Sequence, residues 1–224
     1  DRQADQHDQD QDNQPYQNSA QNSPPLQFTL RPSQGTCRTC IARRRMQSEP
    51  KTTAGPLVLV GLMGAGKSTV GRRLAARLRL DFVDADDEIE AAAGLSIAEI
   101  FERYGEAQFR DGERRVLSRL IEEGRGVIAT GGGAFIDPHT RATILDQAVA
   151  IWLDADIEIL ADRVSRRNTR PLLAGKDPAI VLRELAEVRN PIYAEAHLHI
   201  SSSPAPHART VDTIIKALKE GGIL

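Results

Sequence analysis

The sequence predicts an α/β fold built on a parallel sheet, and three features carry that reading. From Gly55 onward, short β-rich apolar runs alternate with amphipathic helical stretches. Gly61 to Ser68, GLMGAGKS, fits the pattern G-x-x-x-x-G-K-[ST] directly after one such run and at the start of such a helix. The helical stretches are long enough for the crossovers that parallel strands require.

Taken in order, LVLV at Leu57–Val60 is the first strand, the glycine loop follows, and Val70, Leu74, Ala75 and Leu78 fall on one face of the first helix. Further strands are expected at Asp81–Val83, Gly126–Ala129, Val149–Leu153 and His197–Ile200. The intervening punctuation is that of helices. Asp87 and Glu88 open a helix over 87–93, Ser96 with Glu99 forms a capping box, and Asp137-Pro138 and Asp177-Pro178 read as N-cap followed by N1. Gly94 and Gly105 read as stops. No internal repeat is present.

With 224 residues, 40% hydrophobic and few aromatics, the chain holds one domain with an ordinary core. Lys plus Arg number 29 against 31 Asp plus Glu, so the net charge of -2 gives no reason to expect a nucleic acid or a membrane surface as partner. No apolar run approaches the roughly 18 to 20 residues that span a bilayer, and a soluble, cytoplasmic protein is expected. Residues 1–54 differ from the rest: rich in Gln, Asn and Asp and without apolar periodicity, they read as a disordered extension to a domain at 55–224. Their acidic start argues against a transit peptide, and they contain no apolar core of a secretory signal. Cys37 and Cys40, the only cysteines, sit there in CRTC. A structural zinc wants four ligands, so a tail without dedicated function is the main reading, with metal, redox or basic-contact roles as alternatives.

The glycine loop binds nucleotide phosphate. Its backbone N–H groups, those of Gly64, Ala65 and Gly66 among them, can close around phosphate oxygens at a helix N-terminus. Lys67 brings a point charge to the β and γ phosphates, Ser68 can ligate Mg²⁺, and Thr69 adds a second hydroxyl. ATP is the expected donor, since the N-K-x-D motif that reads guanine is absent.

The acceptor half is carried by weaker signals. Asp84 and Asp86 stand two apart at a strand end, where ligands collect in open α/β sheets, although acids there also favour a helix start. Arg110 follows Phe109 beside a stripe of Val116, Leu117, Leu120 and Ile121; such an arginine is more often solvated. Gly131, Gly132 and Gly133 run straight out of a strand and can approach another molecule closely, or form a plain turn. Residues 166–178, polar, basic and marked by Pro and Gly, suit a mobile lid or an ordinary surface loop equally.

Together GLMGAGKSTVGRRLA, FVDADDEIE, FRDGE, TGGGA, RPLL and RNPIY, in this order and spacing, resemble the shikimate kinases from Leu57 to the C-terminus. The resemblance implies a three-layer α/β/α P-loop kinase like the nucleoside monophosphate kinases, with a five-stranded sheet of order 2-3-1-4-5. It implies an acceptor-binding segment at about 86–123, a monomer, and transfer from Mg-ATP to the 3-hydroxyl of shikimate in aromatic amino acid and chorismate biosynthesis. By resemblance Arg110 and Arg189 grip the shikimate carboxylate, Glu113 orients Arg110, Asp86 meets the ring hydroxyls and Gly131 to Gly133 line the site. On the nucleotide side Asp84 holds Mg²⁺ through water, Arg163 packs on the adenine and Arg170 reaches the transferring phosphoryl group from the lid. Lys67, Asp86 and Arg170 would carry the chemistry. Another small-molecule kinase, gluconate kinase-like, and a non-catalytic nucleotide sensor are the competing readings.

Overall fold

In a computed structural model the described residues are 55–165, 177–202 and 207–224. Residues 1–54, with Cys37 and Cys40, therefore lie outside them, as do Arg170 and most of the expected lid.

The apolar runs form one five-stranded parallel sheet in the order β2-β3-β1-β4-β5. The strands are β1 Leu57–Val60, β2 Phe82–Asp84, β3 Val127–Ala129, β4 Val149–Ala155 and β5 Leu198–Ser202. Every residue of β1 is 0% exposed. A strand apolar on both faces has to be covered on both, which is why helices α1 Lys67–Leu78, α2 Ala85–Ala93, α3 Ile97–Glu122, α4 Pro138–Gln147, α5 Ile157–Ser165, α6 Pro178–Tyr193 and α7 His207–Glu220 enclose the sheet. In-register pairs such as Val58↔Ile128 and Val58↔Ala150 place β1 between β3 and β4. The order reverses around β1, so the ends of β1, β2 and β3 open one crevice. Among the described residues no helix is long and apolar enough to cross a membrane.

The caps fall where the residues promise them. Ser96 accepts from the Glu99 N–H while Glu99 Oε2 accepts from the Ser96 N–H at 2.9 Å, and Asp137 and Asp177 cap α4 and α6 with Pro at the first helical positions. Asp177 and Pro178, the last two residues of the expected lid, are the N-cap and first residue of α6.

Two expectations need correction. The helix expected over 87–93 begins at Ala85, because Asp84 is its N-cap and accepts from the Asp86 N–H at 3.2 Å; β2 accordingly runs one residue later than expected. The stop expected at Gly105 is present: with φ 76 and ψ 174 this residue is non-helical and divides α3 into two segments, the second of which carries Arg110 and Glu113.

Candidate active site

β1 ends in the glycine loop, which leads into α1. Gly66 is the N-cap of α1 at φ 89, a left-handed conformation that costs glycine little, and no side chain caps the helix. The first N–H groups of α1 therefore point into the crevice without a capping side chain, as an anion site needs. Lys67 is 8% exposed, and its ammonium donates to the carbonyls of Gly61 at 2.8 Å and Leu62 at 2.9 Å. These bonds fold the charge back over the loop it belongs to.

A cavity of about 370 Å³ lies over this loop, lined by Gly64, Gly66, Lys67, Ser68, Thr69, Asp84, Asp86, Gly131, Gly132 and Arg163. Arg163, on α5, reaches across to donate to the Gly64 carbonyl at 3.3 Å. A second cavity, about 570 Å³, adjoins it and is lined by Asp86, Arg110, Glu113, Gly131, Gly132, Gly133 and Arg189, with Met63, Phe101 and Phe109 as apolar wall. Asp86, Gly131 and Gly132 line both cavities. The described residues expected on the phosphate and acceptor sides thus meet at one boundary. Ala65 is the exception among them: 1% exposed, it lines neither cavity with its side chain and offers only backbone.

The acceptor side is organised by one buried acid. Glu113 is 2% exposed and binds Arg110 Nη1 through Oε2 at 2.7 Å, while Glu106 takes Nη2 of the same guanidinium at 3.1 Å. Burial pushes the Glu113 carboxyl above its ordinary value against the pull of Arg110, and the charges of Asp86 and Asp137 add to the rise. For Arg110 burial works to lower the pKa, but the Glu113 carboxylate and both acid hydrogen bonds outweigh it and hold the guanidinium more firmly protonated. Glu113 is therefore no exposed helix acid; it anchors Arg110 from below.

The glycine run explains itself sterically. A Cβ at Gly131 would lie 2.9 Å from both Asp86 Oδ1 and Glu113 Oε1, and one at Gly133 would lie 2.5 Å from Arg110 Nη2. The bare backbone makes room for these three charged groups.

Three further residues belong here that pattern reading did not single out. Thr130, 4% exposed, ties the end of β3 to β1 by donating its hydroxyl to the Leu59 carbonyl at 3.0 Å. Tyr193, 1% exposed, donates its hydroxyl to the Gly132 carbonyl, which also accepts from Arg189 Nη1 at 3.1 Å. His207, first residue of α7, lines the nucleotide-side cavity; burial, then Arg163 and Arg73, lower its pKa and favour the neutral ring. Their sequence neighbourhoods carry no signal of these contacts, apart from the TGGGA block that holds Thr130 and the RNPIY block that holds Tyr193.

The donor set suits Mg²⁺ brought with a nucleotide. Ser68 and Asp84 offer hard oxygens on the phosphate side, and no group of three or more potential metal-ligating acids, histidines or cysteines occurs among the described residues. Mg²⁺ typically takes one or two protein ligands and completes its shell with phosphates and water.

Comparison with known proteins agrees with this geometry. The family model described as shikimate kinase matches residues 63–219. A shikimate kinase of Caulobacter vibrioides is 59% identical over 167 residues, 75% of this chain and 84% of that protein. One of Novosphingobium aromaticivorans is 52% identical over 169 residues, 74% of this chain and 88% of that protein. The structure of a shikimate kinase from Acinetobacter baumannii in complex with shikimate superposes with a TM-score of 0.73 at 37% identity, covering 76% of this chain and 96% of that one.

Proposed function

The chain belongs to the shikimate kinase family, and from that premise we propose that it transfers the γ-phosphoryl group of ATP to the 3-hydroxyl of shikimate, in chorismate and aromatic amino acid biosynthesis. The observation that carries the reading is Asp86, which lines the nucleotide-side and acceptor-side cavities at once. An acceptor hydroxyl beside Asp86 would face the phosphate side, with its ring extending towards Arg110 and Arg189.

Each residue then has a physical task. Arg110 and Arg189 present guanidinium groups to the acceptor carboxylate, a planar match that favours paired charge-assisted hydrogen bonds. Glu113 holds Arg110 in place for it. The backbone of Gly131 to Gly133 closes on the ring at a distance that side chains would forbid.

On the donor side the N–H groups of Gly64 to Thr69 take the phosphates, Lys67 turns from its carbonyls towards the β and γ oxygens, and Arg163 flanks the base. Ser68 directly and Asp84 through water would hold Mg²⁺, which supplies charge neutralisation to the phosphates when bound. Arg170, outside the described residues, is assigned by resemblance to the lid, where it adds positive charge over the transferred group.

The acceptor oxygen attacks the γ phosphorus, the bond from that phosphorus to the β–γ bridging oxygen breaks, and ADP leaves. Because such transition states are loose, alignment and charge stabilisation supply most of the acceleration. Asp86 aligns the attacking hydroxyl by accepting its hydrogen bond and takes the proton late. The Mg²⁺ requirement, a monomeric state and residence in the cytoplasm belong to the same proposal and rest on the family resemblance.

The test is ADP release from Mg-ATP with shikimate, gluconate, AMP or no acceptor. Release that depends on shikimate alone is expected. Consumption of gluconate or AMP in its place would reassign the acceptor cavity.

A further inference from the structure

The Gly132 carbonyl accepts two hydrogen bonds from one helix. Arg189 and Tyr193 are four residues apart on α6 and therefore share a face. Arg189 Nη1 donates at 3.1 Å, and the Tyr193 hydroxyl donates to the same oxygen. A carbonyl has two acceptor lone pairs, so both bonds can exist together.

The two donors differ in freedom. Tyr193 is 1% exposed, and its ring lies between Phe135, with centroids 6.4 Å apart, and Trp152, at 6.1 Å. The phenol can only point where it points. Burial also pushes its hydroxyl up to about 12, so it remains a donor throughout the working pH range. Arg189 instead faces the acceptor-side cavity with a long, rotatable side chain. The Gly132 peptide itself is packed against the glycine loop, since a Cβ there would lie 3.5 Å from Met63 N and 3.7 Å from Gly61 O.

We infer that Tyr193 is a positioning residue for Arg189: by satisfying the Gly132 carbonyl alone, it lets the guanidinium leave that oxygen for the acceptor's carboxylate. Without the phenol, Arg189 becomes, among the described residues, the sole partner of a part-buried carbonyl, and recruiting it to substrate leaves that oxygen without either of them. The inference rests on the proposed carboxylate-bearing acceptor.

Tyr193→Phe keeps the ring and removes the bond. Calorimetric titration is expected to show shikimate binding weakened roughly three- to tenfold, an unchanged Kd for ATP, and no change for shikimate methyl ester, whose neutral group does not recruit Arg189. Equal losses for shikimate and its ester, or an unchanged shikimate Kd, would overturn the inference. Wild-type turnover of shikimate, measured alongside, separates that failure from failure of the acceptor assignment. In the wild-type protein, independently of how the variant folds, the Tyr193 hydroxyl proton should stay protected from exchange when shikimate saturates the site. Loss of that protection would also overturn the inference.

Discussion

Replacing Gly133 by Ala adds one methyl group, and its consequence can be worked through from the packing. The new Cβ would lie 2.5 Å from Arg110 Nη2, 2.6 Å from Nη1 and 2.7 Å from Cζ. Ordinary contact begins near 3.4 Å, so the guanidinium has to retreat by about 1 Å. The backbone does not object, because Gly133 sits at φ -104 and ψ -13, where alanine is unstrained. The protein should fold and the whole effect should fall on Arg110. That side chain is held by Glu113 at 2.7 Å and Glu106 at 3.1 Å, and retreat sacrifices one of these bonds or the grip on the acceptor. A charge-assisted hydrogen bond contributes about 1.5–3 kcal/mol, which converts to a loss of roughly 10- to 140-fold in kcat/KM for shikimate. The coupled ADP assay, with shikimate varied at saturating ATP and then ATP varied at saturating shikimate, should show the loss in the shikimate KM and leave the ATP KM alone. A folded Gly133→Ala enzyme with kcat/KM for shikimate within about twofold of wild type, or a loss falling equally on ATP, would refute the placement of Arg110.

Other consequences follow from the same geometry. Lys67→Met should lower kcat by about 10²- to 10³-fold, the usual effect of losing one preorganised charge on a developing anion; single-turnover rates at saturating ATP check this. Asp86→Asn should still bind shikimate measurably by calorimetry while turnover falls by at least about 100-fold, and near wild-type turnover would remove Asp86 from the alignment role. Glu113 has a folded pKa above its ordinary 4.5, so its contribution to stability is fully present below about 4.5 and is lost as pH rises through the raised value. Thermal unfolding from pH 4 to pH 8 should therefore show wild type losing ground to Glu113→Gln as pH rises. A constant gap would contradict the buried, desolvated state of this acid.

What was legible in the sequence was local. The glycine loop, its flanking strand and helix, and the caps at Ser96, Asp137 and Asp177 depend on residues within a few positions of each other, and the structure reproduces them. The same locality explains the two misjudged boundaries, the start of α2 and the end of β2. The acids at 84–88 signalled a helix start without saying which of them was the cap, and the cap is Asp84. Gly105 signalled a break, which the structure contains, and burial of Phe109, Val116, Leu117 and Leu120 after it sustains a second helical segment.

Partners distant in the chain were beyond local pattern. Arg163 meets Gly64 across 99 residues, Tyr193 meets Gly132 across 61, and Thr130 meets Leu59 across 71. Only the resemblance of whole blocks placed Arg163 and Arg189. Glu113 shows the limit most clearly: its spacing from Arg110 was visible, whereas its burial, with Gly131 close against its carboxylate, was not.

Transfer of the phosphoryl group to the 3-hydroxyl of shikimate can be read from the NMR spectrum of the product formed from Mg-ATP and shikimate. Phosphorus coupling is expected to the ring proton at the 3-position and to no other. Phosphate on another oxygen, or unmodified shikimate after ATP has been consumed, would contradict it.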